Sequence, residues 1–295
     1  MADRLDQLPG EVGFLITRGD EELVERRAED AAPLGSVFKL FVLLATAEAV
    51  RSSELAWDET LVLTDSDRSL PSGRLQDEPT GSEISVREAA QEMIAISDNT
   101  ATDLLIRRLG RERVEAAFAS VGGAGNVPWL TTKGFFTLGW GDSALSTRWR
   151  DADEAERRRL LEDIDAAPLS VDAADVSSPV WKNGVDWFAS PGTVAAVHEA
   201  LLSTGDDTVR AILSKNPGVG ADLDRALFPY LGFKGGSAPG VLAASWSGET
   251  AKGERVTVVI QLRDEDPAAV AAVQREVFSL GADALRLAAE EGGQR

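Results

Sequence analysis

Short runs of β-branched and other apolar residues lie towards both ends of the chain, and helical spacing fills the stretch between them. Val12 to Thr17 reads as a strand, Arg18-Gly19-Asp20 as a turn, and Glu22 to Arg26 as a second strand. Three more strands are expected near the other end, at Phe233 to Gly236, Val241 to Gly248 and Arg255 to Leu262. The last is the clearest, because every residue from Val256 to Ile260 is β-branched and suits a pleated surface. An apolar helical run extends from Leu34 to Val50. Ser85-Val86-Arg87-Glu88 has the form of a capping box and opens a helix through Ile96. Thr100 to Leu109 is a further helix, stopped by Gly110. Asp151 to Asp165, Thr193 to Leu202, Thr208 to Leu213 and Pro267 to Glu290 are also expected to be helical. Thr64 to Gly81 and Ala166 to Asp186 read as irregular.

Strands at both ends with helices between them argue for an α+β fold. The expectation is an antiparallel sheet flanked by terminal helices, with an inserted all-helical lobe. Residues 1–53 and 187–295 would form the sheet lobe and residues 54–186 the helical one. No internal repeat or low-complexity linker is visible.

Composition narrows the chemistry. At 295 residues and 43% hydrophobic content, the chain can bury a sizeable core. A net charge of −19 disfavours nucleic acid and anionic membranes as partners. With no cysteine, disulfides, thiolate metal sites and cysteine nucleophiles are excluded. The single histidine, His198, cannot build a multi-histidine zinc site. It sits in a helical pattern and reads as structural or surface. No G-x-S-x-G elbow presents a serine to it. The N-terminus lacks a basic segment followed by an apolar one, and no run is long enough to span a membrane. The sequence as written reads as cytoplasmic, or as exported where a leader has been removed.

The candidate chemistry starts at Ser36-Val37-Phe38-Lys39. A hydroxyl and an amine three residues apart on a helix share one face. A lysine there can take the serine's proton if its surroundings lower its pKa, and the flanking Phe38, Leu40 and Phe41 supply an apolar setting. Two further motifs follow in order, Ser97-Asp98-Asn99 in the joint between two helices and Lys234-Gly235-Gly236-Ser237 on a strand. The trio resembles that of the class A β-lactamases and penicillin-binding proteins, and the resemblance runs from about Val12 to the C-terminal helix.

That resemblance implies a two-lobed β-lactamase-like fold with the site in the cleft, and a serine hydrolase acting through an acyl-enzyme. Ser36 would be the nucleophile, Lys39 its base and Ser97 a proton relay to the leaving group. Asn99 would hold the substrate's amide and orient Lys39, while Asp98 would bond nearby backbone. Lys234 would attract a substrate carboxylate, and Gly235 and Gly236 would let substrate lie along the strand. The backbone N–H groups of Ser237 and Ser36 would form an oxyanion hole. The implied partner is a small-molecule β-lactam or ester, and a monomer is expected. No metal or organic cofactor is implied. Two departures matter. Gly235 replaces the family's usual hydroxyl residue. The family's E-x-x-L-N glutamate, which activates the deacylating water, has no counterpart between Leu161 and Asp186, where Asp172 and Asp175 are the nearest carboxylates. The expected activity is therefore on β-lactam amides with slow deacylation. The alternatives are a β-lactamase-related esterase and a penicillin-binding-like protein that acylates without turnover.

Overall fold

In a computed structural model, residues 1–219, 223 and 226–290 are described. Among them are nine strands: β1 (Glu11–Arg18), β2 (Glu21–Arg26), β3 (Ala32–Pro33), β4 (Thr60–Val62), β5 (Glu83–Ser85), β6 (Phe188–Ala189), β7 (Tyr230–Ala238), β8 (Val241–Glu249) and β9 (Arg255–Arg263). The chain divides into two compact units, Met1–Phe38 with Phe188–Arg295, and Lys39–Trp187. No helix among the described residues is long and apolar enough to cross a membrane.

The first unit is built on a five-stranded antiparallel sheet in the order β2-β1-β9-β8-β7. The N-terminal hairpin docks on the last strand, with Phe14 opposite Ile260 and Ile16 opposite Val258. One face of the sheet carries Phe14, Ile16, Leu242, Trp246, Val258 and Ile260, which form a core with Val277, Leu280, Ala284 and Leu285. Those four recur at helical spacing along Gln274–Glu290, so that helix buries one stripe. The C-terminal helical stretch is not continuous. It breaks at Val273, which leaves helical geometry (φ −100°, ψ 6°) between Pro267–Ala272 and Gln274–Glu290. A second helix, Pro191–Ser203, buries Val194, Val197 and Leu201. Ser190 caps it by accepting from Thr193 N, and Pro191 starts it where its missing N–H costs nothing.

The second unit is helical around Lys39–Arg51, a helix whose residues from Lys39 to Ala47 are all buried. Phe41 stands edge-on to Phe118 at 4.9 Å and to Trp129 at 6.0 Å. These contacts place the helix with the second unit, whereas the sequence-based division ran after Ser53. The apolar run expected as one helix from Leu34 is a 3₁₀ turn, Gly35–Phe38, followed by the α-helix. The unit is also not all-helical. β4 and β5 pair as a two-stranded ribbon, with Leu61 opposite Ile84. Three residues per strand are too few to show a period in sequence. The charged stretch expected as one helix is two, Ser143–Asp151 and Glu154–Ala166. Asp153 caps the second by accepting from Glu156 N at 2.8 Å, a helix start inside the charged run. The helices Arg111–Ser120 and Thr132–Trp140 add to those expected.

Gly281 gives a test of this packing. Replacing a mid-helix glycine by alanine normally gains up to about 1 kcal/mol in propensity. Here the added methyl would stand 2.4 Å from Cη2 of Trp246, which is fully buried. Overpacking of this kind costs about 1–3 kcal/mol. Gly281→Ala should therefore lower stability in urea unfolding, and a stabilised variant would show that the helix can slide away from Trp246.

Candidate active site

Of the eight sequence-predicted site residues, Ser36, Lys234, Gly235, Gly236 and Ser237 lie in the first unit and Lys39, Ser97 and Asn99 in the second. In the first unit, Ser36 sits half-buried in the turn Gly35–Phe38, which lies backbone-to-backbone against β7. A methyl group added at Gly236 would stand 2.2 Å from Leu34 O, 2.6 Å from Ser36 N and 2.7 Å from Val37 N. One added at Gly35 would stand 2.8 Å from Ser237 N. Gly35 also has φ +46°, a conformation that glycine adopts without a Cβ penalty. Both glycines are thus required for the approach, which brings the N-terminal N–H groups of the turn beside Ser237 N. The sequence places Ser36 and Ser237 far apart, and the first unit brings them together.

Lys234 is buried at 3% exposure, and its Nζ donates to Gly235 O at 2.7 Å. Burial lowers its pKa to about 7. Its carbonyl accepts from Ser245 Oγ at 3.2 Å, and Ser245 Oγ is 2.9 Å from His198 Nε2. His198 is fully buried, and desolvation pulls its pKa down to about 3. It is a neutral structural histidine behind β7, not an acid–base group at neutral pH.

In the second unit the Lys39 amine meets the Ser97-Asp98-Asn99 joint. Lys39 Nζ donates to Ser97 O at 2.6 Å and to Asn99 Oδ1 at 2.6 Å, and lies 3.1 Å from Ser97 Oγ. Ser97 has φ +60°, a costly region for a residue with a Cβ. The strain is held by bonds around it. Asp98 N donates to Glu92 O at 3.0 Å, and Ser97 O also accepts from Ser72 Oγ at 2.8 Å. Asp98 is fully buried and binds backbone alone among its described bonds, accepting from Arg74 N, Leu75 N and Ala101 N. Gly73 (φ +118°) is required beside it, because an added methyl would stand 2.3 Å from Asp98 Cγ. Asn99 opens the helix Asn99–Leu109, and its Nδ2 donates to Leu70 O at 2.9 Å. The amide is therefore oriented with Oδ1 towards the lysine.

Sequence reasoning missed a layer behind Asn99. Asp103, one turn further along the same helix, accepts from Thr132 N at 2.7 Å and Lys133 N at 2.9 Å. It fixes the start of the helix Thr132–Trp140. Burial raises its pKa to about 7, against the effect of those two bonds. Thr132 Oγ1 in turn donates to Ser69 Oγ at 2.7 Å and lies 3.3 Å from Asn99 O. The only signal in sequence was the four-residue spacing of Asn99 and Asp103. Asp172 and Asp175 are exposed on a local 3₁₀ turn, and Asp175 Oδ2 accepts from Asp172 N. Asp186 is buried and accepts from Trp187 N at 2.7 Å.

Comparison with known proteins fits this geometry. Residues 1–136 match the profile of the beta-lactamase enzyme family. No curated protein matches the chain. Among solved structures, a β-lactamase from Sphaerobacter thermophilus is similar with a TM-score of 0.67 at 22% identity, covering 97% of this chain and 96% of that one. A class A β-lactamase from Mycobacterium abscessus gives 0.65 at 18% identity over 99% and 97%. The structure of PBP-A gives 0.62 at 16% identity over 95% and 94%. The chain has the fold of the class A β-lactamase and penicillin-binding-protein superfamily.

The neutrality of His198 is testable. The free imidazole pKa is about 6.5, whereas the folded value is about 3. Between those values the unfolded chain binds a proton that the folded chain does not, so acid removes stability across that window. His198→Gln should lose less urea stability than the parent on going from about pH 7 to about pH 4.5. Parallel profiles would show that the folded chain protonates His198 without cost.

Proposed function

We propose that this protein is a serine hydrolase that forms an acyl-enzyme at Ser36 with strained amides, β-lactams among them, and with esters. The observation that carries the reading is the setting of Lys39. A neutral amine has two N–H groups and one lone pair. The two short bonds to Ser97 O and Asn99 Oδ1 use two N–H groups, which leaves the lone pair for a hydroxyl proton. Full burial favours that neutral form.

In this reading Ser36 Oγ attacks the acyl carbon and its proton passes to Lys39. The backbone N–H groups of Ser36 and Ser237 stabilise the oxyanion as the tetrahedral intermediate forms. Asn99 holds the substrate's amide. Ser97 delivers a proton to the leaving nitrogen or oxygen, the C–N or C–O bond breaks, and an ester to Ser36 remains. Water then cleaves that ester, releasing the acid and restoring the hydroxyl. PBP-A, a relative in fold, is known as an acyl-enzyme with penicillin G in a mutant form, which supports covalent chemistry at the matching serine. Deacylation is the slow step for bulky β-lactams, because Asp172 and Asp175 are exposed and engaged in their own turn.

Incubation with penicillin G or p-nitrophenyl acetate should add the acyl mass to a peptide containing Ser36. Ser36→Ala should abolish the label while keeping the parent's thermal melt; persistent labelling would remove Ser36 from the mechanism. Lys39→Ala should slow acylation by about 10²–10⁴-fold. Lys39→Arg should fail similarly, since a guanidinium stays charged. In stopped-flow hydrolysis of a chromogenic cephalosporin, a burst of one equivalent should precede a slow steady phase. Fast turnover without a burst would reveal a deacylating base.

A further inference from the structure

The outer strand β7 alternates its side chains, so Lys234 and Gly236 share one face while Phe233, Gly235 and Ser237 share the other. The second face is apolar where the family's hydroxyl residue would stand. A methyl group added at Gly235 would be 2.9 Å from Cζ and 3.4 Å from Cε1 of Phe233. The Phe233 ring is held in that position by Trp246, with centroids 5.1 Å apart, and by Phe278 at 5.9 Å. It also covers Gly218, where an added methyl would be 2.4 Å from the ring. On the neighbouring strand Gly235 faces Ala244, Gly236 faces Ala243 and Ser237 faces Leu242. Ser237 is the single polar side chain that β7 offers on this face from Leu231 to its end.

The nearby cations do not compensate. Lys234 lies on the opposite face with its Nζ on Gly235 O, and burial leaves it only partly charged near neutral pH. Arg210 is committed at the far end of β7, 4.1 Å over the Tyr230 ring and 3.0 Å from Glu249. A carboxylate laid along this edge would lose water and find one hydroxyl, with no charge-assisted partner on that face. The net charge of −19 adds a repulsive long-range field.

We propose that the site takes uncharged acyl donors in preference to carboxylated ones, with an apolar substituent lying beside Gly235 against the Phe233 ring. This rests on the acyl-enzyme reading above. It departs from the expectation that Lys234 attracts a substrate carboxylate.

The test uses a chromogenic cephalosporin and its carboxyl methyl ester, which differ only in that charge. Acylation of Ser36 is followed by intact mass and by the rate of colour release. The methyl ester should acylate at least about 10-fold faster, the size expected when one charge-assisted bond is missing for the acid. Phe233→Ala with Gly235→Ser, which frees space and supplies a hydroxyl, should shrink that ratio several-fold. An acid that acylates as fast as the ester, or an unchanged ratio in a variant with the parent's melting behaviour, overturns the inference. Acylation by both compounds with the acid favoured overturns it while leaving the acyl-enzyme reading intact. Acylation of Ser36 by neither overturns that reading, and the inference with it.

Discussion

A lysine amine without solvent exposure is the constraint around which the second unit is arranged. Lys39 is fully buried, and an amine in that position must find hydrogen-bond acceptors or lose several kcal/mol of hydration. The acceptors are Ser97 O and Asn99 Oδ1. Supplying them has consequences along the chain. Ser97 adopts φ +60°, and the joint is then fixed by Asp98, which gathers three backbone N–H groups. Asp98 in turn requires the chain at Gly73 to pass without a Cβ. Asn99 is oriented by Leu70 O and backed by Thr132 and Asp103. Each of these looks like an isolated loop detail. Together they are the conditions for keeping one amine dry and aimed.

The first unit obeys a different constraint, the close approach of two backbones. Side chains cannot bring N–H groups as near to one another as main chains can, and Gly35 and Gly236 remove the atoms that would hold them apart. The cost falls on β7, which loses side-chain packing across Gly235 and Gly236. Compensation comes from behind the strand, where Ser245 binds Lys234 O and His198 binds Ser245. Phe233 supplies more by spreading its ring over the gap at Gly235. The ring that stabilises the strand thereby sets the polarity of its edge.

Much of this was legible in the sequence. The five long strands, the order of the three motifs, the backbone-binding role of Asp98 and the structural role of His198 all follow from residue type and spacing. The illegible parts have physical reasons. β4 and β5 are three residues each, too short for a period. The helix Thr132–Trp140 contains Gly134 and Gly139, which mask its pattern, and it is fixed by Asp103 from another helix. Asp153 divides a charged run because its own carboxylate competes for backbone N–H groups. The filling of position 235 by Phe233 cannot be read from K-G-G-S, since it depends on Trp246 and Phe278 pressing the ring from positions distant in sequence.

The choice of partners for Lys39 carries a chemical consequence that burial alone would not. An aspartate in place of Asn99 would also accept from the amine, and with a stronger, charge-assisted bond. It would do so by favouring the ammonium form, and a lysine locked in that form cannot accept a proton. The amide oxygen of Asn99 and the peptide oxygen of Ser97 are neutral, so they orient the amine without fixing its charge. The nearest buried carboxylate on the same helix face, Asp103, is spent on the N–H groups of Thr132 and Lys133. Asp98, between Ser97 and Asn99 in sequence, is likewise turned onto backbone. Negative charge is therefore used to build the scaffold and neutral oxygens to hold the lysine, an arrangement suited to an amine that must change protonation state during a reaction.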